Sequence, residues 1–293
     1  MLKYWLLFFV AIVSLSQASL LIRSAHAPIE VIGFWRMTAA GLILLFSAFF
    51  GRNQLQNIKW SDQKISFTLI SSVFFFLHLW CYFYAAHHTK ISNLMIMFST
   101  NPLFTALGAY LFFKEKMTWK LGAAYVFAFT GIWILASGSL QFQPEYFTGD
   151  IVALISGAFY SAYILTGKKA RQHISTTIYG GINYSFVGLL FLATGLGKNL
   201  EWTHYPATTW ISIAALVLIP TLMGHALFSF LLSHLNVNSM SCGKLIEPVI
   251  ASVMAFLFFG ESLSQQAIPA FFLTASAVLI LFFPWRKFQY GNR

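Results

Sequence analysis

Residues 242–261, CGKLIEPVIASVMAFLFFGE, crowd Lys244, Glu247 and Pro248 into an apolar run long enough to cross a bilayer. Lys244 and Glu247 are three positions apart and share one helix face. Either charge alone would cost roughly 3 kcal/mol or more at mid-bilayer. Together they can offset each other or meet a small polar ligand in a wet space between helices. Pro248 lacks an N–H and frees the carbonyl four residues earlier, on Lys244 itself. A plainer alternative stands beside this one: a purely structural pair, with Lys244 snorkelling to a membrane edge about 9 Å away at 1.5 Å per residue.

Other polar residues interrupt apolar runs in the same way. Arg36 lies seven residues into its run, where an intramembrane Arg is a functional candidate; it could equally pin its helix to headgroups or to a neighbouring helix. His78 and His225 each fall well inside a run and could take up a proton near neutral pH, although a lone histidine in a helix is more often a satisfied core residue. Tyr82 follows His78 by four and shares its face, and Tyr160 is central in its run. His87 and His88 sit at a boundary and read as interfacial. Trp5, Trp60, Trp119, Trp202 and Trp285 fit aromatic belts.

Of the 293 residues, 58% are hydrophobic and 9% charged, with a mean hydropathy of +0.71. Soluble domains carry about a quarter charged residues, so the solvent for most of these side chains is lipid. The net charge of +10 is dispersed between apolar runs rather than clustered, which argues against nucleic acid as a partner. Cys81 and Cys242 match no metal or redox spacing and read as packing residues. The first run, followed by Ala25-His26-Ala27, resembles a signal peptide. Its length and Arg23 favour a retained helix instead.

Runs of about 20 apolar residues fall at roughly 4–22, 29–50, 65–86, 91–113, 119–138, 149–168, 175–196, 207–232, 238–260 and 267–285. The expected fold is an all-α polytopic membrane protein with ten transmembrane helices, because a backbone in lipid must satisfy its polar groups within the segment. With the N-terminus cytoplasmic, thirteen Lys and Arg fall on the cytoplasmic side and three (Arg23, Lys90, Lys198) on the other. Arg36 and Lys244 lie inside spans, which accounts for all eighteen. By the positive-inside rule both termini are cytoplasmic.

A shift of 146 superposes His88 on His234, Pro102 on Pro248 and Glu115 on Glu261, and aligns LFFKE with LFFGE. The fourth span thereby overlays the ninth, giving two five-helix repeats. An odd number forces the second to insert upside down, and the expected units are 1–140, 147–286 and a short basic tail, 287–293. Inverted repeats are a transporter signature, with the binding site near the midplane between the halves. Asn101 is the repeat mate of Glu247, polar but neutral. The expected cavity-lining set is Lys244, Glu247, His78, Tyr82, Asn101, Arg36, Tyr160 and His225, with Pro102 and Pro248 as helix breaks.

A Pro followed thirteen residues later by Glu at the end of spans four and nine, GFWRMTAAGLILL in span two and LIEPVIASVMAFLFFGE in span nine resemble the drug/metabolite transporter superfamily, EamA-type. The resemblance covers essentially the whole chain. It implies a multi-pass inner-membrane carrier of small metabolites, often an exporter of amino acids or related compounds, without a cofactor. Amino acids lead as cargo, with proton exchange at Glu247 or a histidine as a coupling route. An anionic or nucleoside-like metabolite recognised by Arg36 and Lys244 is the alternative. A membrane-embedded histidine enzyme would need clustered ligands, such as two His at i, i+4 with a carboxylate, and His87-His88 has no acidic neighbour. The expected partners are a small-molecule cargo, membrane lipid and protons, with the chain a monomer or homodimer.

Overall fold

The computed structural model describes residues 2–50, 62–139, 143–171, 174–260 and 265–282. Arg52, Lys59, Trp60, Glu261, Trp285, Arg286 and the tail 287–293 lie outside these, as does the side chain of Lys64. The described residues are all-helical and contain no strand. Among the described residues, nine helices are long and apolar enough to span a membrane: α1 (Leu2–Ser24), α2 (Ile29–Phe50), α3 (Ile65–His88), α4 (Ile91–Phe113), α5 (Trp119–Ser137), α6 (Phe147–Ala170), α7 (Thr176–Gly195), α8 (Ala207–Leu231) and α9 (Val237–Phe259). A shorter apolar helix, α10 (Ala267–Leu281), completes the ten. The protein is a multi-pass membrane protein. Its outer belt is hydrocarbon: Phe46, Phe112, Phe258 and Leu279 are all more than 60% exposed, where a soluble protein would place charge.

Helix contacts carry the repeat into three dimensions. The main pairs are α3 with α6, α2 with α7, α5 with α10, α4 with α6, α1 with the middle of α8, and α4 with α9; of these, α4–α6 departs from the repeat, since its counterpart α9–α1 packs less closely. Exchanging the halves maps α2–α7, α4–α9 and α5–α10 onto themselves and maps α3–α6 onto α8–α1. That pattern is a two-fold relation running between the halves, and it follows from a repeat of five.

Small residues bring the pairs together. A Cβ on Gly41 would sit 2.6 Å from the backbone nitrogen of Ser185, and one on Gly188 would sit 3.0 Å from that of Thr38. The two backbones of the α2–α7 pair touch at these points. In lipid, such close packing replaces the hydrophobic effect as the cohesive force between helices.

Four helices are interrupted. α1 breaks between Leu15 and Ala18. α4 divides into Ile91–Phe98 and Asn101–Phe113. α9 divides into Val237–Gly243, a 3-10 turn at Lys244–Ile246, and Glu247–Phe259. The shift of 146 maps the segments of α4 onto those of α9, including the left-handed caps at Lys114 (φ 54°) and Gly260 (φ 63°). α8 carries an unexpected feature, a π-helical stretch from Val217 to Ala226 with Pro220 inside it. Trp5 corrects the belt assignment: it is 7% exposed and packs edge-on against Phe8 at 5.4 Å, because it lies on the face of α1 that packs inward, while Leu6 and Phe9 on the other face are exposed. Trp119, at 72% exposed, faces outward as expected.

Gly188→Val should lower stability by about 1–3 kcal/mol, the range for overpacking a closed interface. Thermal unfolding in detergent measures it, and an unchanged midpoint would mean that α2 and α7 do not approach this closely.

Candidate functional site

Each proline-broken helix solves the carbonyl problem in its own way, and the difference creates the site. Pro102 frees the carbonyl of Phe98, which accepts a hydrogen bond from Asn101 Nδ2 at 2.8 Å. Pro248 frees the carbonyl of Lys244, which accepts the backbone N–H of Glu247 across the 3-10 turn. A carboxylate has no proton to donate, so Glu247 cannot cap as Asn101 does. Its side chain turns to Lys244 instead, Nζ to Oε2 3.3 Å, with both side chains buried. Lys244 Nζ also lies 3.8 Å from the ring centroid of Tyr160 and 4.4 Å from that of Phe98. The ammonium is therefore enclosed by two aromatic faces and one carboxylate. Phe98 is the repeat mate of Lys244, so the equivalent positions meet where the halves face each other.

Arg36 enters from α2. It is fully buried, which removes the headgroup alternative. Its Nε donates to Thr221 Oγ1 at 2.7 Å, and its Cζ lies 5.5 Å from the centroid of Phe83. Thr221 reaches this position through the π-helical stretch, where its hydroxyl donates to the carbonyl of Leu216, five residues back, at 2.7 Å. Both terminal guanidinium nitrogens of Arg36 are buried with no hydrogen-bond partner.

The two central histidines approach each other, with ring centroids 6.2 Å apart. His78 Nδ1 lies 2.8 Å from Ser156 Oγ, and that hydroxyl donates to the carbonyl of His78 at 3.0 Å, which ties α3 to α6. Tyr82 donates to Met95 Sδ at 3.2 Å.

Arg36, His78, Tyr82, His225, Lys244 and Glu247 line one cavity, walled by Leu15, Ala18, Leu79 and Phe98. It offers about 10 Å³ to the centre of a water molecule, room for about one water. Of the eight expected residues, six meet here. Tyr160 is not one of the lining residues: it packs against the ammonium of Lys244. Asn101 stands apart from the lining set: its amide nitrogen is committed to Phe98, and its backbone carbonyl accepts from Ser161 at 2.7 Å. Phe98, Ser156 and Thr221 belong to the site without having been expected. The repeat alignment of Phe98 with Lys244 and the proline beside Thr221 are the signals that could have found two of them.

Polar contacts cross between helices at both ends of the bundle. At the end where α1 begins, Lys168 Nζ lies 2.5 Å from Glu115 Oε1, while Asn236 and Asn238 donate to Glu115 Oε2 at 2.8 and 3.2 Å. At the opposite end, Arg23 donates to the carbonyls of Ala86 and Thr89 at 3.1 and 2.7 Å. Beside it, buried Asp150 accepts from Thr89 Oγ1 at 2.7 Å and from Asn93 Nδ2 at 3.2 Å. His87 and His88 each use Nδ1 on the carbonyl four residues back, at 2.9 and 2.7 Å, at this same end.

Glu247→Gln should destabilise the protein by about 3–5 kcal/mol, since it strands a buried ammonium. Adding Lys244→Met should recover most of that loss in thermal unfolding. A single-variant cost under about 1 kcal/mol would mark the pair as solvated.

The profile of the EamA-like transporter family matches residues 2–137 and 147–283. The chain is 24% identical to the pseudopaline exporter CntI of Pseudomonas aeruginosa over 88% of this chain and 85% of that one. It is 28% identical to the threonine/homoserine exporter RhtA of Salmonella typhimurium over 47% and 46%. An uncharacterised transporter of Clostridium kluyveri is 23% identical, and the match spans 61% of that protein's length. One crystal structure superposes with a TM-score of 0.75 over 95% of this chain and 96% of that one at 16% identity, a likeness of fold alone. A helical membrane bundle with two halves, broken helices facing each other and matches along both halves belongs to the EamA-like transporter family.

Proposed function

We propose that the protein is a secondary transporter that exports small amino-acid-related metabolites across the cytoplasmic membrane, by alternating access between units 1–140 and 147–286. One observation carries this reading. The only carboxylate lining the central cavity, among the described residues, shares it with two cations, two histidines and a tyrosine. A single binding chamber between symmetry-related halves can exchange which end opens without moving the site. The names of two relatives, an exporter of threonine and homoserine and a probable exporter of a terminal-alkyne amino acid, support amino-acid-like cargo. The Lys and Arg distribution supports cytoplasmic termini, which puts the Glu115–Lys168 clasp at the cytoplasmic end and the Arg23 clasp at the outer end. Proton exchange at Glu247, His78 or His225 supplies the coupling, because each can change charge within the chamber.

Counterflow in proteoliposomes tests the reading. Vesicles preloaded with unlabelled threonine, homoserine or related amino acids should accumulate the labelled compound from outside, and an imposed pH gradient should change the rate. Absence of counterflow across amino acids and their simple derivatives would remove this cargo class. Counterflow indifferent to the gradient would remove proton coupling and leave exchange.

A further inference from the structure

In this structure the cavity has room for about one water, so cargo enters only when it widens, and its lining then treats the two ends of an amino acid unequally. A site for an ammonium group is built from aromatic faces and a carboxylate, and one is present: Phe98, Tyr160 and Glu247. The protein's own Lys244 fills it, with Nζ 3.8 Å from the Tyr160 centroid and 3.3 Å from Glu247. A ligand amine would have to displace a covalently tethered ammonium from a buried position. The anion side is different. Arg36 is fully buried and lines the cavity, spends Nε on Thr221, and leaves both terminal nitrogens without a hydrogen-bond partner. A guanidinium presents those two nitrogens as a fork matched to a carboxylate.

The formal charges agree. Arg36 and Lys244 against Glu247 leave the lining one positive charge in excess, with the histidines neutral. The other carboxylates with described partners are engaged elsewhere: Glu30 with Lys198 at 2.7 Å, Glu115 with Lys168 at 2.5 Å, Asp150 with Thr89 and Asn93, and Glu201 with His204. An uncompensated cation in a buried cavity is held at a high cost, which a bound anion relieves.

We infer that Arg36 is the anchor for a cargo carboxylate, and that this carboxylate is required for recognition whereas a cargo amine is dispensable. The inference rests on the transporter reading above and narrows its cargo to carboxylates, with N-acylated amino acids fitting at least as well as free ones. Thr221 is a positioning residue: its hydroxyl orients the guanidinium and leaves the fork free.

A matched series separates the possibilities. Binding of L-threonine, N-acetyl-L-threonine and L-threonine amide, and of the same three forms of several other amino acids, can be followed by thermal-shift titration of the full chain in detergent. The N-acetyl form should bind as tightly as the free amino acid or more so, and the amide about 30-fold or more weakly, the loss expected when a buried charge pair is deprived of one partner. Arg36→Gln should remove the difference between the N-acetyl form and the amide, and Arg36→Lys should restore part of it. The wild-type series decides the matter by itself should Arg36→Gln fail to fold. An amide bound as well as its N-acetyl counterpart overturns the anchor and leaves the transporter reading standing. So does an amide whose binding is rescued by chloride, since Arg36 would then hold an inorganic anion. If no form of any amino acid binds, the cargo class itself falls, and the anchor falls with it.

Discussion

Everything in this molecule turns on the freed carbonyls at Phe98 and Lys244. A membrane has no water to offer a backbone oxygen, so a proline ten residues into a spanning helix creates a demand that the fold must meet internally. The first half meets it with a side-chain amide. The second half meets it with a tightened turn, and so releases the side chain of Glu247 for other work. A substitution that looks slight, Asn in one repeat for Glu in the other, thereby places one carboxylate in the buried interior, and Lys244 accompanies it one turn earlier.

Symmetry explains why these features meet. Because five helices separate repeat mates, each half enters the membrane in the opposite sense, and α4 and α9 are brought face to face. Phe98 against Lys244 and His78 near His225 are consequences of that geometry. The close backbones of α2 and α7 at Gly41 and Gly188 belong to the same two-fold relation. The polar contacts at the two ends, one centred on Glu115 and the other on Arg23 and Asp150, cross between helices.

The cavity is lined by charges that would be prohibitive singly. Lys244 and Glu247 compensate each other, and aromatic faces complete the shell of the ammonium. Arg36 has a hydroxyl and a phenyl face but no carboxylate. Such an imbalance is costly for a resting protein and useful for one that must bind an anion, since relief of the imbalance supplies binding free energy without any new apolar contact.

Much of this was legible in the chain itself. Hydropathy determined the ten spans, because twenty apolar residues in a row have no other stable surroundings. The shift of 146 determined the two-half architecture, and six of the eight expected polar residues line one cavity because an intramembrane charge can be kept only in a polar interior. Other things were decided by tertiary structure. Asn101 read as a lining residue, but it serves its own helix, and that depends on which donor is nearest a freed carbonyl. Trp5 read as interfacial, but it sits on the inward face of α1, and which face of an apolar helix packs inward is a matter that hydropathy does not encode. Thr221 reaches Arg36 only because Pro220 sits in a π-helical stretch, whose phase no 3.6-residue pattern anticipates. Which cation has a partner and which does not is likewise a fact of distances across helices, and one-dimensional spacing carries no information about them.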